Sequence, residues 1–268
     1  MPGDFQDSVA TLGSRSDADP SQPAPAAVPA DWADAFRRIL CRIQRRYHTY
    51  SETVRLGSLV IPFTRIADPN RVLDEVAEEE DRIERVSGRR APEDQLHLPY
   101  WAELWDSALA LATYVIERQP AVSGASVLDL GCGMGLSGTA AAAAGARVLF
   151  ADLEPPALLF AQLNSLSYGR RVRTRRLDWR ADRLGERFDL ILGADILYER
   201  KQWDFLEPFW RTHLAPGGSV LLGEPGRKTG EMFVEWIAER GWALSEFAQP
   251  VETRSRPVRV FELKRDVG

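Results

Sequence analysis

The sequence predicts an α/β protein: a doubly wound, Rossmann-like, mostly parallel sheet with helices on both faces and an antiparallel C-terminal hairpin. Three observations carry this expectation. Short apolar runs alternate with helical patterns from residue 100 onward. A glycine-rich turn, Gly131-Cys132-Gly133-Met134-Gly135, joins one apolar run to a helix. An acid, Asp152, closes the next run at the distance, about twenty residues, where a nucleotide-binding fold places one.

The elements follow in order. Residues 1–30 are rich in Pro, Ala, Ser, Asp and Gly, with few large apolar side chains. Such a stretch cannot bury enough surface to offset its ordering entropy, so a disordered tail is expected. Asp31 is a plausible N-cap, and Trp32, Phe36, Ile39, Ile43 and Tyr47 then fall on one helical face. Arg37, Arg38, Arg42, Arg45 and Arg46 read as the solvated remainder of that helix; the competing reading is a docking patch for an acidic partner. Residues 52–66 look like short strands broken at Gly57 and Pro62. The acidic stretch 74–84 reads as a surface helix or loop. Residues 31–98 therefore form a helix-and-strand extension, followed by the main domain, 99–268.

Within that domain, strands are expected at 126–130, 146–151, 188–194, 219–223, 242–247 and 258–263. Helices are expected at 137–145, 156–166 and 231–240. The last two strands are joined by residues 248–257 alone, too short for a helical crossover, so they should pair antiparallel. The arginine-rich run 170–176 reads as an edge strand guarded by charge, or as a contact for RNA or an acidic protein.

Composition narrows the function. The 268 residues are 44% hydrophobic, enough for a full-sized core. With 34 basic against 39 acidic residues, the net charge of −5 argues against general nucleic-acid binding. The two cysteines, Cys41 and Cys132, form neither a disulfide framework nor a zinc cluster. That points to a reducing, cytoplasmic location. His48, His97 and His213 have no metal-ligand spacing, so no metal is expected. No apolar run spans a membrane and no secretion signal opens the chain. The composition leaves the oligomeric state open, with a monomer as the simplest expectation.

The glycine spacing distinguishes ligands. A dinucleotide fold would carry glycine at 131, 133 and 136, but position 136 is Leu. The pattern instead reads G-x-G-x-G, with Asp129 just before the turn. A pyrophosphate gains nothing from that carboxylate, whereas an amino-acid-bearing cofactor does, because Asp129 can sit near its ammonium, directly or through water. Asp152 can then hydrogen-bond both hydroxyls of a ribose. The competing reading is a tight strand-to-helix turn without a ligand.

Residues 127–135 with Asp152 resemble the first motif and following acid of class I S-adenosyl-L-methionine-dependent methyltransferases. Pro99-Tyr100-Trp101-Ala102-Glu103-Leu104-Trp105 and Asp195-Ile196-Leu197-Tyr198 are similar to the aromatic-acid segment and D-x-x-Y motif of the seven-strand protein-lysine methyltransferases, methyltransferase family 16. Gly223-Glu224-Pro225-Gly226-Arg227 resembles the G-D-P-G-R of the branch that methylates the beta subunit of electron transfer flavoprotein. The resemblance covers residues 99–263 and implies a seven-stranded sheet, S-adenosyl-L-methionine as cofactor and a protein substrate with a lysine acceptor; the competing readings are a small-molecule or nucleic-acid methyltransferase on the same fold, and a non-catalytic interaction protein that keeps the cofactor site. It implies cofactor binding by Gly131, Gly133, Gly135 and Asp152, with Asp178 reaching the adenine amino group and Trp179 flanking the ring. One departure leaves the substrate open: Trp105 is followed by Asp106-Ser107, where relatives of that branch carry Pro and Gly.

For chemistry, Asp195 is expected at the carboxyl edge of the fourth strand, holding the incoming amine, or else capping a helix. Tyr198 is expected to close one wall of the acceptor site. Trp101 and Trp105, four apart, would share one side of a helix as an aromatic wall or as core. Glu103 between them is expected to bind the cofactor's charged end or a substrate amine; simple surface exposure is the competing reading. Cys132 reads as packing, not as a nucleophile.

Overall fold

The structure, a computed structural model, describes residues 32–88 and 98–265. The expected tail and the Asp31 cap lie outside the described residues.

Helix α1 (Trp32–Gln44) buries Ile43 and packs Phe36 and Ile39 against the core, with Tyr47 buried just beyond its end. Strands β1 (Thr49–Leu56) and β2 (Leu59–Ile66) form a separate antiparallel hairpin, turning at Gly57 with φ 60°. The expected break at Pro62 does not occur, and β2 runs through it opposite Thr53. In a two-stranded ribbon each strand keeps a free edge, where a missing N–H costs nothing. Helix α2 (Pro69–Ser87) holds the acidic stretch; Asp68 caps it by accepting from the Arg71 N–H. A 3₁₀ turn (Tyr100–Ala102) then leads into helix α3 (Asp106–Glu117).

The remaining elements alternate. They are β3 (Ser126–Leu130), α4 (Leu136–Ala143), β4 (Arg147–Asp152), α5 (Pro155–Ser165), β5 (Val172–Arg176) and β6 (Phe188–Ala194). Then come α6 (Trp203–His213), β7 (Leu214–Glu224), α7 (Lys228–Ala238), β8 (Trp242–Gln249) and β9 (Val258–Arg265). These strands form a seven-stranded sheet of order β5-β4-β3-β6-β7-β9-β8. Strands β3 to β7 are parallel, and β9 is antiparallel to both neighbours, as the short β8–β9 link requires. The arginine run supplies β5, one of the two edge strands, whose exposed side chains find local partners such as Arg173 with Glu186.

Strand alternation divides the core into two layers. Val127, Val148, Phe150 and Leu192 face the layer formed with α3, α4 and α5; Leu128, Leu149, Ile191 and Leu222 face the layer formed with α6 and α7. Helices α3 and α6 have no counterpart in the sequence expectations. Helix α3 is apolar nearly all round (Ala-Leu-Ala-Leu-Ala) and buried, so it shows little amphipathic period. Helix α6 carries Pro208 in its interior, a residue that ordinarily ends a helical pattern.

Chain direction across the sheet reverses at β3, which lies between β4 and β6. At such a switch point the loops leaving the strand ends diverge and open a crevice. The packing beside it is tight. A Cβ on Gly138 in α4 would lie 2.4 Å from the Phe150 ring and 2.7 Å from an Asp129 carboxylate oxygen. Gly138→Ala is therefore expected to destabilise the fold by about 2–3 kcal/mol, read as a lower midpoint in urea unfolding.

Candidate functional site

The floor of the crevice is the glycine loop after β3. Gly131, Gly133 and Gly135 all take positive φ, at 65°, 52° and 86°. A side chain at Gly135 would also strike Ala161 of α5, 2.7 Å away, so both backbone angle and space demand glycine there. The Gly131 and Cys132 N–H groups both donate to the Ala151 carbonyl, which ties the loop to the end of β4.

Asp152, the last residue of β4, receives this loop. Its two carboxylate oxygens accept from the Gly133 N–H and the Glu154 N–H, each at 2.9 Å. Each oxygen retains accepting capacity, and the residue lines the cleft. Burial pushes its carboxyl up to about 6, against the lowering effect of those two hydrogen bonds.

All the expected site residues except Asp129 line this one cleft of about 200 Å³. Asp129 is 1% exposed and does not reach it. Alternation puts Asp129 on the same strand face as Val127, beneath α4, where it accepts from the Gly138 N–H at 2.8 Å. Its role is to satisfy a free donor in the first turn of that helix. Burial raises its carboxyl to about 7.

The walls are aromatic and acidic. The Trp179 ring covers Gly131, at 3.4 Å from where a Cβ would stand, and its N–H donates to the Gln202 side chain at 3.1 Å. Asp178 beside it accepts from the Arg180 guanidinium through both oxygens. Trp101 is buried, packs edge-on against Tyr47 at 5.4 Å, and lays its backbone against Gly133. Glu103 and Trp105 complete this wall. They do not share a helix face with Trp101, because Glu103 and Trp105 both adopt extended backbone angles and α3 starts only at Asp106. The Trp105 N–H instead donates to the Tyr100 carbonyl at 2.9 Å, which folds the segment back on itself. Cys132 also lines the cleft; burial and the nearby Asp152 push its thiol well up, so it stays protonated and unreactive.

The other end of the cleft lies beyond β6. Asp195 follows that strand with φ 55°, the one non-glycine residue with positive φ among the described residues. Its N–H donates to the Gly223 carbonyl of β7, and it caps no helix. The Asp195 carboxylate is 8% exposed and accepts from Arg227 through both oxygens, at 3.0 and 2.8 Å. Arg227 also lies 5.8 Å from the Trp105 ring centroid. The turn carrying it is shaped by buried Glu224, which accepts from the Gly226 and Arg227 N–H groups and pairs with Arg259. Tyr198 lines the same end, edge-on to Tyr100 at 5.5 Å. Burial and neighbouring Glu199 push its phenol up to about 12, so it keeps its proton.

Sequence reasoning missed Arg227, Tyr100 and Gln202 as site residues. Arg227 had a signal, since it ends the Gly-Glu-Pro-Gly-Arg run at the edge of β7. Gln202 had none, because its place over the cleft depends on how the segment after β6 folds. Among the described residues no cluster of His, Cys, Asp and Glu has the form of a metal site, and no helix is long and apolar enough to cross a membrane.

Comparison with known proteins agrees with this arrangement. The mouse electron transfer flavoprotein beta subunit lysine methyltransferase is 32% identical over 164 residues, 58% of this chain and 61% of that protein. Mouse EEF1A lysine methyltransferase 3 is 34% identical over 131 residues, 47% of this chain and 56% of that protein. The chain thus spans between half and about three fifths of the length of these curated relatives. Among solved structures, the glycopeptide N-methyltransferase MtfA complexed with S-adenosyl-L-homocysteine shares the fold, with a TM-score of 0.52 at 16% identity over 58% of this chain and 90% of that one. A lysine methyltransferase family profile matches residues 93–239, from just before the aromatic segment to the end of α7, and the chain belongs to that family.

Proposed function

We propose that the cleft binds S-adenosyl-L-methionine and that the protein transfers its methyl group to a lysine side chain of a protein substrate. The observation that carries this is the convergence of three strand ends on one cleft: the glycine loop after β3, Asp152 at β4, and Asp195 after β6. The residues fit the cofactor. The Gly133 backbone, free of a side chain, and the open lone pairs of Asp152 suit a ribose diol. Leu153, Leu177, Trp179 and Ile196 offer an apolar slot for a purine ring. Glu103 lines the cleft and is available to an ammonium group. Family membership supports the lysine acceptor, as do the relatives, which are named for lysine methylation. The free cysteines Cys41 and Cys132 support a reducing, cytoplasmic location.

When bound, S-adenosyl-L-methionine supplies a methyl group activated by a sulfonium. The protein's share of the work is placement and exclusion of water. Asp152 and the glycine loop fix one end of the cleft, and Trp179 covers it. Asp195 is held rigid by Arg227 and presents a carboxylate edge to an entering amine. A lysine ammonium, with an ordinary pKa near 10.4, must lose its proton before it attacks. The Asp195–Arg227 pair favours this, because Arg227 offsets the carboxylate charge that would otherwise stabilise the ammonium. Tyr198 keeps its hydroxyl proton and can donate a hydrogen bond at the mouth.

Binding should depend on pH through Asp152. Its ionised form accepts from ribose hydroxyls, and its carboxyl sits at about 6 in the free protein. Affinity for S-adenosylhomocysteine is therefore expected to hold above pH 6 and to fall below it, by up to about tenfold per pH unit. Calorimetric titration from pH 7.5 to 5 checks this; a flat profile contradicts it.

The activity is tested with tritiated S-adenosyl-L-methionine, the purified protein and an extract of the source cell, with products separated by size. Label in a discrete protein band, lost with Asp195→Ala, supports the reading. Label confined to nucleic acid or small molecules overturns the protein acceptor.

A further inference from the structure

The N-terminal helix and hairpin lie outside the stretch matched by the family profile, yet they touch two parts of the cleft. The first contact runs through Asn164 on α5. Its side-chain oxygen accepts from the Thr64 N–H at 2.8 Å, and its amide nitrogen donates to the Thr64 carbonyl at 3.0 Å. The second amide hydrogen donates to the Met134 carbonyl, also at 3.0 Å. One side chain thus pairs with strand β2 as a neighbouring strand would and, at the same time, holds the glycine loop. Met134 has no freedom to compensate, since its side chain is 3% exposed and packed in the core.

The second contact is aromatic. Tyr47, between α1 and β1, packs edge-on against Trp101 at 5.4 Å and lies tilted against Phe160 of α5 at 6.3 Å. Trp101 in turn lays its backbone over Gly133. Phe160 and Asn164 are four apart, on one face of α5, with Ala161 against Gly135. That face therefore supports the loop, and the N-terminal unit bonds and packs onto the same face through Asn164 and Phe160.

We propose that the N-terminal helix–hairpin unit is a built-in brace of the cofactor loop, with Asn164 and Tyr47 as positioning residues. The assignment rests on the cofactor reading above only for what the loop binds; the bracing itself concerns the free protein. Glycine-rich turns are costly to order, and a ligand that must order its own loop loses affinity. Pre-fixing Met134 and Trp101 removes that cost before binding.

The test uses the full-length protein and two variants. Asn164→Asp keeps the acceptor for the Thr64 N–H but removes both donors and faces two carbonyls with a carboxylate. Tyr47→Leu keeps apolar bulk but removes the ring over Trp101. Two readouts are taken well below the unfolding temperature: calorimetric affinity for S-adenosylhomocysteine, and hydrogen exchange of the loop amides in the ligand-free protein. The expected result is an affinity about tenfold weaker in each variant, with faster exchange at residues 131–136. Ser51→Ala serves as a control, since it removes the Ser51–Thr64 hydroxyl contact of the hairpin without touching Asn164. It should lower stability and leave affinity unchanged. Wild-type affinity and wild-type loop exchange in both brace variants would overturn the proposal. If the wild-type chain bound no S-adenosylhomocysteine, the cofactor reading would fail, and loop exchange in the free protein would still decide the brace.

Discussion

Asp152→Ala should weaken S-adenosylhomocysteine binding by about 100-fold, the loss expected when a buried carboxylate stops accepting two hydroxyl hydrogen bonds at roughly 1.5 kcal/mol each. The variant has a second consequence. Asp152 accepts from the Gly133 and Glu154 N–H groups, so alanine also leaves two backbone donors without their acceptor. Asp152→Asn separates the effects. It retains an acceptor for one N–H and preserves volume, but presents an NH₂ to a hydroxyl pair that needs acceptors. Its affinity should fall nearly as far as that of the alanine variant, while its unfolding midpoint stays closer to wild type. Calorimetry and thermal melts of both variants check this. An affinity within threefold of wild type in Asp152→Asn would remove the ribose assignment.

Asp195→Ala should leave cofactor affinity within a few-fold and lower methyl transfer by about 10²–10³, the range for deleting one preorganised electrostatic group. The reason is placement. Asp195 sits at φ 55°, fixed by its N–H to Gly223 and by the Arg227 fork, so its carboxylate edge is set before any acceptor enters. Alanine removes the edge and leaves Arg227, 41% exposed, as an uncompensated cation at the acceptor end. Because Arg227 still reaches water, the stability loss should be small and the catalytic loss large. Asp195→Asn tolerates the backbone angle but cannot offset Arg227, so it should be nearly as slow. Transfer at the wild-type rate by either variant would displace Asp195 from the acceptor site.

The legible parts of this protein were those written in local pattern. Strand–helix alternation, the short β8–β9 link and the charged edge strand β5 are properties of contiguous residues, and each has its counterpart in the sheet. The glycine loop and Asp152 were legible for the same reason, since a tight turn and a strand-end acid leave signatures at fixed spacing. Asp129 shows where that reasoning stops. Its position before the turn was plain, but whether it faces a ligand or a helix depends on strand alternation combined with the placement of α4. Trp105 shows a second limit, because a spacing of four implies one helical side only if the intervening backbone is helical, and here it is extended. Arg227 and Asn164 belong to neither class. They act across 32 and 30 residues of sequence, on Asp195 and Met134, and such pairings are created by the sheet order. Helix α3 hid because burial on all sides erases amphipathic period, and α6 because Pro208 imitates a stop.

Methyl transfer to a lysine is decided by the chemical identity of the labelled product. The protein band labelled from tritiated S-adenosyl-L-methionine would be hydrolysed to amino acids and resolved by mass spectrometry. The expected result is label that co-elutes with methylated lysine and is absent from the Asp195→Ala reaction. Label recovered on arginine, histidine, glutamine or a terminal amine would contradict it.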